Sequence, residues 1–538
     1  MSNADASNLP PVLRPGNPPV HSLTDLAVHF GFEVHGDATG VAVTGLTLAS
    51  REVVPGDVFV AVRGEHRHGA EFAAGAAGAG AVAVITDASG AAIAADSGLP
   101  VLVTAQPRLT LGALSAWVYS TGREDQLPTL FGVTGTNGKT SVSHLLEGML
   151  GQLGQVTGLS STAERHIAGE VIVSRLTTPE AYEMHALLAL MREQGVQSVA
   201  IEVSAQALTR QRVDGLVFDV AAFTNLSHDH LDDYADMATY LGAKLPLFQP
   251  DRARRAVVSL DSAAGADVMR ASGVPTVTVA TVGLATDQAV QQANWRVDIL
   301  GEQRTGTTFR LSGQDDQSLV STVPVIGRHM AANAGLAIVM LLEAGFEWSR
   351  VAETLASGVQ AYLPGRTELV SGATGPAVYV DFGHSPDAFE KTLAAIRRVT
   401  PGRVLMLVGA DGDRDATKRL DMGRTAAEGS DMVVITDHHP RFEPPEQIRA
   451  ALLEGARRAR PDQPRYEYSP PEKAIEAALD LVGDGDAILW AGPGHQDYRD
   501  IRGERTPYSA RELARRGLKA RGYPVPEPRW PVPYPPED

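Results

Sequence analysis

The sequence predicts an α/β protein of several domains, and three observations carry that prediction. Short continuous runs of Val, Ile, Leu and Ala alternate with helical patterns, as strands buried on both faces of a parallel sheet do. One such run leads directly into a glycine loop and an amphipathic helix, TGTNGKT at residues 134–140. The chain has 538 residues, too many for one core, and at ~150 residues per domain it holds three to four.

Strands are expected at 58–62, 81–86, 130–134, 198–203, 220–225, 256–260, 377–381, 404–409, 432–436 and 487–491, with helices such as 141–153 and 330–344 between them. The polar segment TGREDQLP at 121–128 and the LPGR stretch at 363–366 suggest domains over 21–126, 127–361 and 362–522. Residues 1–20 and 523–538 are Pro-rich and read as flexible tails. No internal repeat is visible.

Composition narrows the function. Hydrophobic residues make up 43% and charged residues 21%, which excludes a wholly disordered chain. The net charge of −17 argues against a general nucleic-acid binder, while leaving room for a local basic pocket. The absence of cysteine excludes disulfides, thiolate catalysis, iron–sulfur clusters and Cys-ligated zinc, and fits a cytoplasmic setting. The most apolar window, 70–85, carries Glu71 and stops at Thr86–Asp87, so it reads as a helix running into a strand rather than a membrane span. The first residues lack the basic and apolar regions of a secretory signal.

The chemistry concentrates at strand ends. In TGTNGKT, glycines let backbone N–H groups close round phosphate oxygens, and the following helix N-terminus favours the anion. Lys139 reaches toward β/γ-phosphates and the Thr140 hydroxyl suits Mg²⁺. The strict G-x-x-x-x-G-K-[ST] spacing is broken because position 133 is Val; the glycines stand at 132, 135 and 138. The segment TNLSHDHLDDY at 224–234 crowds His228, Asp229, His230, Asp232 and Asp233 after a strand, and serves equally as a metal-binding loop or a polar capping loop. Glu202, in AIEVSAQAL, must face a metal or an ion-pair partner. Asp381 and His384, in YVDFGHSPD, suit ribose and phosphate, or cap a turn. GADGDRDATKR at 409–419 is either an anion-recognition loop or a solvated one. HHPR at 438–441 has no third ligand at metal-binding spacing.

Taken together these segments resemble the Mur ligases, the ATP-dependent amide ligases of peptidoglycan precursor synthesis. The resemblance is greatest to the tripeptide-forming branch, which extends UDP-N-acetylmuramoyl-L-alanyl-D-glutamate. It covers about residues 40–515 and rests on VTGLTLASREVVPGDVFVAVRG, TGTNGKT, TTPEA, EVSAQAL, TNLSHDHLDDY, LPGRTE, VDFGHSPDA, GADGDRDATKR and AGPGHQDY in that order. It implies a UDP-binding first domain, a central P-loop ATPase-like domain and a Rossmann-like C-terminal lid. It implies activation of a carboxylate by ATP, with Mg²⁺, and attack by a free diamino acid, in a cytoplasmic monomer.

The resemblance also implies residue roles. Leu48 and Ser50, with Arg51, lie near the uridine end. Thr177, Thr178, Ser204 and Arg212 contact the muramoyl-dipeptide. Gly135, Thr136, Asn137, Gly138, Lys139 and Thr140 cradle ATP phosphates, while Asn333, Arg366, Asp381 and His384 hold ATP from the hinge and third domain. Thr140, Glu202 and His230 hold magnesium, and Lys244, in YLGAKLPLF, matches the lysine carbamylated in this family. Arg414 meets the incoming amino acid, together with His438, His439, Arg441, Gly492 and Gln496.

The departures sit mainly at that last subsite. The family's DSR triplet is ASR here (Ala49), and Gln206 and His228 replace a frequent His and Arg. The Asp-Asn-Pro-Arg signature of diaminopimelate-adding members is His-His-Pro-Arg, and Gly-Lys-Gly-His-Glu is Gly-Pro-Gly-His-Gln. Loss of acid and amide partners for a far ammonium tilts the expectation from meso-diaminopimelate toward L-lysine. Two rival readings remain from the sequence: a folylpolyglutamate-synthase-like ligase, opposed by the motif round Ser50, and a non-catalytic partner-binding homologue or ATPase switch, opposed by an intact GKT, Glu202, His230 and Lys244.

Overall fold

The computed structural model describes residues 12–527 apart from 65, 123–126, 175, 229–232 and 315. Three large sheets follow one another along the chain. The first has five strands in the spatial order Glu33–His35, Val101–Val103, Ala83–Thr86, Asp57–Ala61, Gly45–Thr47, parallel except for the first pair. The second has eleven strands. Its middle is parallel, in the order Thr157–Ser160, Ser198–Glu202, Thr129–Thr134, Phe218–Phe223, Ala253–Ser259, Thr276–Thr281, Trp295–Gln303, with antiparallel hairpins at both edges. The third has six, with Ala377–Asp381, Ala487–Ala491, Val404–Val408, Met432–Ile435 and Arg465–Glu467 parallel and a short edge strand, Glu368–Leu369, antiparallel.

The continuous apolar runs follow from two-sided burial. In Thr129–Thr134, Phe131 and Val133 feed one core and Leu130 the opposite one. In Ser198–Glu202, Ala200 faces the first and Val199 and Ile201 the second. Helix Lys139–Gln152 lays Val142, Leu145, Leu146 and Met149 into the first core, where Arg328–Glu343 meets it with Ala331, Ala334 and Ile338. Among the described residues no helix is long and apolar enough to cross a membrane.

The expectation of slack before residue 21 fails for the part described. Arg14 donates to Asp57 at 2.6 Å and to the Glu52 carbonyl. Glu193, on a helix of the second unit, accepts from the backbone N–H of Gly16 and Asn17. Val12 packs on the first unit's core and Leu13 on the second's. A Pro-rich composition reads as a tail, but two charged groups far along the chain fasten it. At the other end Tyr523 and Val525 pack on the third unit, and the Pro524 carbonyl accepts from Gly372 N–H.

Asp57 is 1% exposed at its side chain, so Arg14 neutralises an otherwise unpaired buried charge. Arg14→Ala is expected to cost about 3 kcal/mol, the usual consequence of removing one partner of a buried pair. Hydrogen exchange across the first sheet should accelerate accordingly, whereas Arg67→Ala, which breaks an exposed pair with Glu71, should leave it unchanged.

Candidate functional site

The carboxyl ends of the parallel strands in the second and third sheets face a common cavity of about 530 Å³. Open α/β sheets place their ligands at such ends. The phosphate loop leaves strand Thr129–Thr134 and turns into helix Lys139–Gln152. Gly135 has φ +144° and a Cβ there would lie 1.9 Å from Thr224 Oγ1, so the loop needs glycine at this position. The TNLS segment braces it: Asn225 accepts from Thr136 N–H through its carbonyl and from Asn137 N–H through its side chain, and Thr224 Oγ1 donates to the Asn137 carbonyl at 2.7 Å. Lys139 Nζ curls back onto the Gly135 and Thr136 carbonyls at 3.1 and 2.9 Å.

Glu202 ends the neighbouring strand, 1% exposed. It accepts from Thr162 N–H and the Thr162 hydroxyl, both at 2.9 Å. Thr162 Oγ1 also reaches Thr177 at 3.0 Å. Thr178 donates to the Glu202 carbonyl and accepts from Ser204 N–H, and Ser204 caps helix Ala205–Thr209. Arg212 donates to Glu180 at 2.9 Å and stands at the cavity wall.

Lys244 is 1% exposed; its ammonium donates to the Gly135 carbonyl at 3.1 Å and lies 4.1 Å from the Tyr240 ring centre. It therefore touches the phosphate loop from beneath. His230, and with it Asp229 and Asp232, lies outside the described residues. His228 is exposed.

From the third unit, Arg366 crosses to the phosphate loop, where Thr140 Oγ1 accepts from it at 2.8 Å. Its guanidinium sits 4.4 Å from the centre of the Phe382 ring. Asp381 accepts from Thr367 N–H at 2.7 Å with one oxygen and from Gly383 N–H at 2.7 Å with the other, so it ties the hinge to the third sheet. His384 Nδ1 lies 2.9 Å from the Phe382 carbonyl. Asn137 donates to Asp387 at 3.0 Å, a second bridge between the units. Asn333 lines the cavity beside Gly138.

The far end of the cavity holds Arg414, His438, Arg441, Gly492 and Gln496. His439 stands behind them: its Nδ1 accepts from Asp500 N–H at 3.0 Å, so the neutral ring carries its proton on Nε2 and donates it to Gln496 Oε1 at 2.9 Å. Burial pushes His438 down to about 3 and lowers His439, so both rings are neutral near pH 7. Asp411 was missed by sequence reasoning, since the segment 409–419 reads equally as an anion-recognition loop or a solvated one and neither singles out an acid. It brings carboxylate oxygens to within 3.5 Å of His438 Nε2 and 3.4 Å of Arg441 Nη2. Burial opposes its ionisation, but the imidazole and guanidinium neighbours outweigh that and hold its carboxyl below the usual range. A third potential ligand thus does lie beside the histidine pair, with ligand atoms of all three residues within 4.8 Å of one another.

Of the remaining expected residues, Gly135, Thr178 and Lys244 support the cavity from behind its wall. Leu48 and Ser50 belong to the first unit, after strand Gly45–Thr47, and do not line it. Lys139, Arg212, Arg366, Lys391, Arg414 and Arg441 do. A chain of net charge −17 has gathered cations round one cavity, the arrangement an anionic substrate requires.

A braced phosphate loop facing a second parallel sheet across a cationic cavity defines a multi-domain α/β protein of the phosphate-loop class. Comparison with known proteins gives the family. The Mur ligase middle domain matches residues 133–341, the Mur ligase glutamate ligase domain 365–494, and the Mur ligase family catalytic domain 42–111. A UDP-N-acetylmuramyl-tripeptide synthetase of Leifsonia xyli subsp. xyli is 56% identical over 96% of this chain and 99% of its own. A UDP-N-acetylmuramoyl-L-alanyl-D-glutamate--2,6-diaminopimelate ligase of Streptomyces avermitilis is 40% identical over 94% of this chain and 98% of its own. A solved structure of a ligase with that same name aligns at TM-score 0.64 and 25% identity, covering 94% of this chain and all of that one. The chain belongs to the Mur ligase family, whose members are ATP-dependent ligases that form peptide bonds. The match over 42–111 falls within the first unit and includes the motif round Ser50, on which the folate-ligase alternative turned.

Proposed function

We propose that this protein joins a diamino acid to the side-chain carboxylate of D-glutamate in UDP-N-acetylmuramoyl-L-alanyl-D-glutamate, at the expense of ATP, as a cytoplasmic monomer. The observation that carries the reading is the single cavity onto which the phosphate loop, Glu202, Arg366 and the Arg414–Arg441 end all open.

In this reading the γ-phosphoryl of ATP passes to a carboxylate oxygen of D-glutamate, and ADP leaves. An amine of the incoming amino acid then attacks the acyl carbon, loses a proton, and phosphate departs. Lys139 exchanges its two carbonyl partners for phosphoryl oxygens, and its charge matters most as the phosphoryl moves. Loop N–H groups from Gly135 to Thr140 hold the phosphates. Asn333, Asp381 and His384 orient the nucleotide, and Arg366 follows the phosphates across the gap between units. Thr177, Thr178, Ser204 and Arg212 position the muramoyl-dipeptide, and Leu48 and Ser50 take its uridine end. The Thr140 hydroxyl, in the first turn of helix Lys139–Gln152, and the Glu202 carboxylate, at the end of the neighbouring strand, are hard oxygen donors, so the set fits a magnesium ion. His230 and Lys244, the latter as its carbamate, would complete that set, and a bound ion would neutralise phosphate charge. The bridges Thr140–Arg366 and Asn137–Asp387 favour a closed arrangement that excludes water from a hydrolysable acyl-phosphate.

The test is phosphate release by the purified chain with ATP, Mg²⁺, the UDP-muramoyl-dipeptide and a panel of amino acids. Release should require both the dipeptide and an amino acid, and the product should gain that amino acid's mass. Release that persists without the dipeptide would refute the reading.

A further inference from the structure

Among the described residues, four acidic side chains line the cavity: Glu202, Asp381, Asp411 and Asp415. Three make hydrogen bonds and leave no buried oxygen without a partner. Glu202 accepts twice from Thr162, Asp381 accepts from Thr367 and Gly383, and Asp415 accepts from the Thr417 N–H. Asp411 differs. Its Oδ2 accepts from Arg441, but its Oδ1 is buried and makes no hydrogen bond. A buried acceptor without a protein donor is costly, and at a cavity wall a water or a ligand can supply the donor.

The neighbours do not compete for that role. His439 uses both ring nitrogens, and the Gln496 carbonyl is taken by His439. His438 Nε2 stands 3.5 Å from Oδ1 without making a hydrogen bond to it. Gln496 is left with its NH₂ group, a donor. Among the described acidic residues lining the cavity, Asp411 is the one whose unbonded carboxylate oxygen is buried.

Resting on the ligase reading above, we infer that Asp411 receives the side-chain ammonium of the incoming amino acid and makes the pocket select a diamino acid. The amine that attacks the acyl-phosphate must shed its proton, and a carboxylate partner would oppose that by favouring the charged form. Asp411 therefore suits the amine that stays protonated. It supplies, from a different loop, the acid whose apparent loss at His438, His439 and Gln496 tilted the sequence reading. Arg441, shared with Asp411, stands ready for a carboxylate next to that ammonium.

The experiment compares kcat/KM for each diamino acid with that for its analogue lacking the side-chain amine: L-lysine against L-norleucine, and meso-diaminopimelate against L-2-aminopimelate. Wild type should prefer the diamino acid of the pair it uses, and Asp411→Asn should shrink that preference by about 30-fold, the scale of one charge-assisted hydrogen bond. The loss should appear in KM for the diamino acid, with KM for ATP unchanged. Equal losses on both members of the pair would mean that Asp411 is only structural, and an undiminished preference would place the ammonium elsewhere; either overturns the inference. One zinc per purified wild-type chain, absent from Asp411→Asn, would also overturn it by making Asp411, His438 and His439 a metal site. If wild type turns over no amino acid at all, the ligase reading itself fails and this inference falls with it.

Discussion

Lys139→Ala is expected to lower ligation turnover by ~10²-fold or more, the size of effect seen when a preorganised electrostatic donor is removed. The fold should survive. Lys139 opens helix Lys139–Gln152 and its ammonium reaches its own loop's carbonyls, Gly135 and Thr136, while Val142, Leu145 and Leu146 anchor the helix. The melting temperature should stay within about 2 °C of wild type. Turnover and melting measured on the same preparation separate a chemical from a structural role. A near-normal turnover removes Lys139 from the mechanism.

Lys244→Ala should lose about 10³-fold in turnover and recover part of it with added acetate. A buried ammonium below the phosphate loop adds one more cation where Lys139 and Arg366 already converge, and it repels a divalent ion. Addition of CO₂ reverses the sign and provides two oxygen donors. The competing reading has Lys244 as a plain brace, its ammonium on the Gly135 carbonyl and against Tyr240. The two readings separate cleanly. A brace lost to Ala is not restored by a small carboxylate, whereas a missing carbamate is. Lack of rescue across a range of acetate concentrations, with melting depressed, assigns Lys244 to the scaffold.

Much of the architecture was legible because burial on both sheet faces writes itself as continuous apolar runs. Ala377–Asp381 and Ala487–Ala491 fall where those runs place them, and Thr129–Thr134 starts one residue early. The edge hairpins were not legible. Ser318–Val323 alternates exposed and buried residues, and Thr157–Ser160 and Glu164–Ile167 are short and partly polar, so neither gives a run. At the site, the glycine loop announced itself through its setting between strand and helix. Lys244 did not: nothing in local spacing distinguishes a lysine under a phosphate loop from a solvated one, and only the resemblance singled it out. Asp411 and the Arg14 strap share one cause of invisibility. Each depends on partners 27 to 43 residues away, His438 and Asp57, and a reading of local pattern has no access to which distant charge a loop will meet.

Activation of the D-glutamate carboxylate by phosphoryl transfer is the central step, and oxygen tracing tests it directly. The D-glutamate side-chain carboxylate of the UDP-muramoyl-dipeptide is labelled with ¹⁸O, and the released phosphate is weighed after one turnover in unlabelled water. Transfer to the carboxylate predicts phosphate carrying one ¹⁸O, with the other retained in the new amide. Unlabelled phosphate alongside amide product would contradict the account, because the leaving oxygen would then have come from water rather than from an acyl-phosphate.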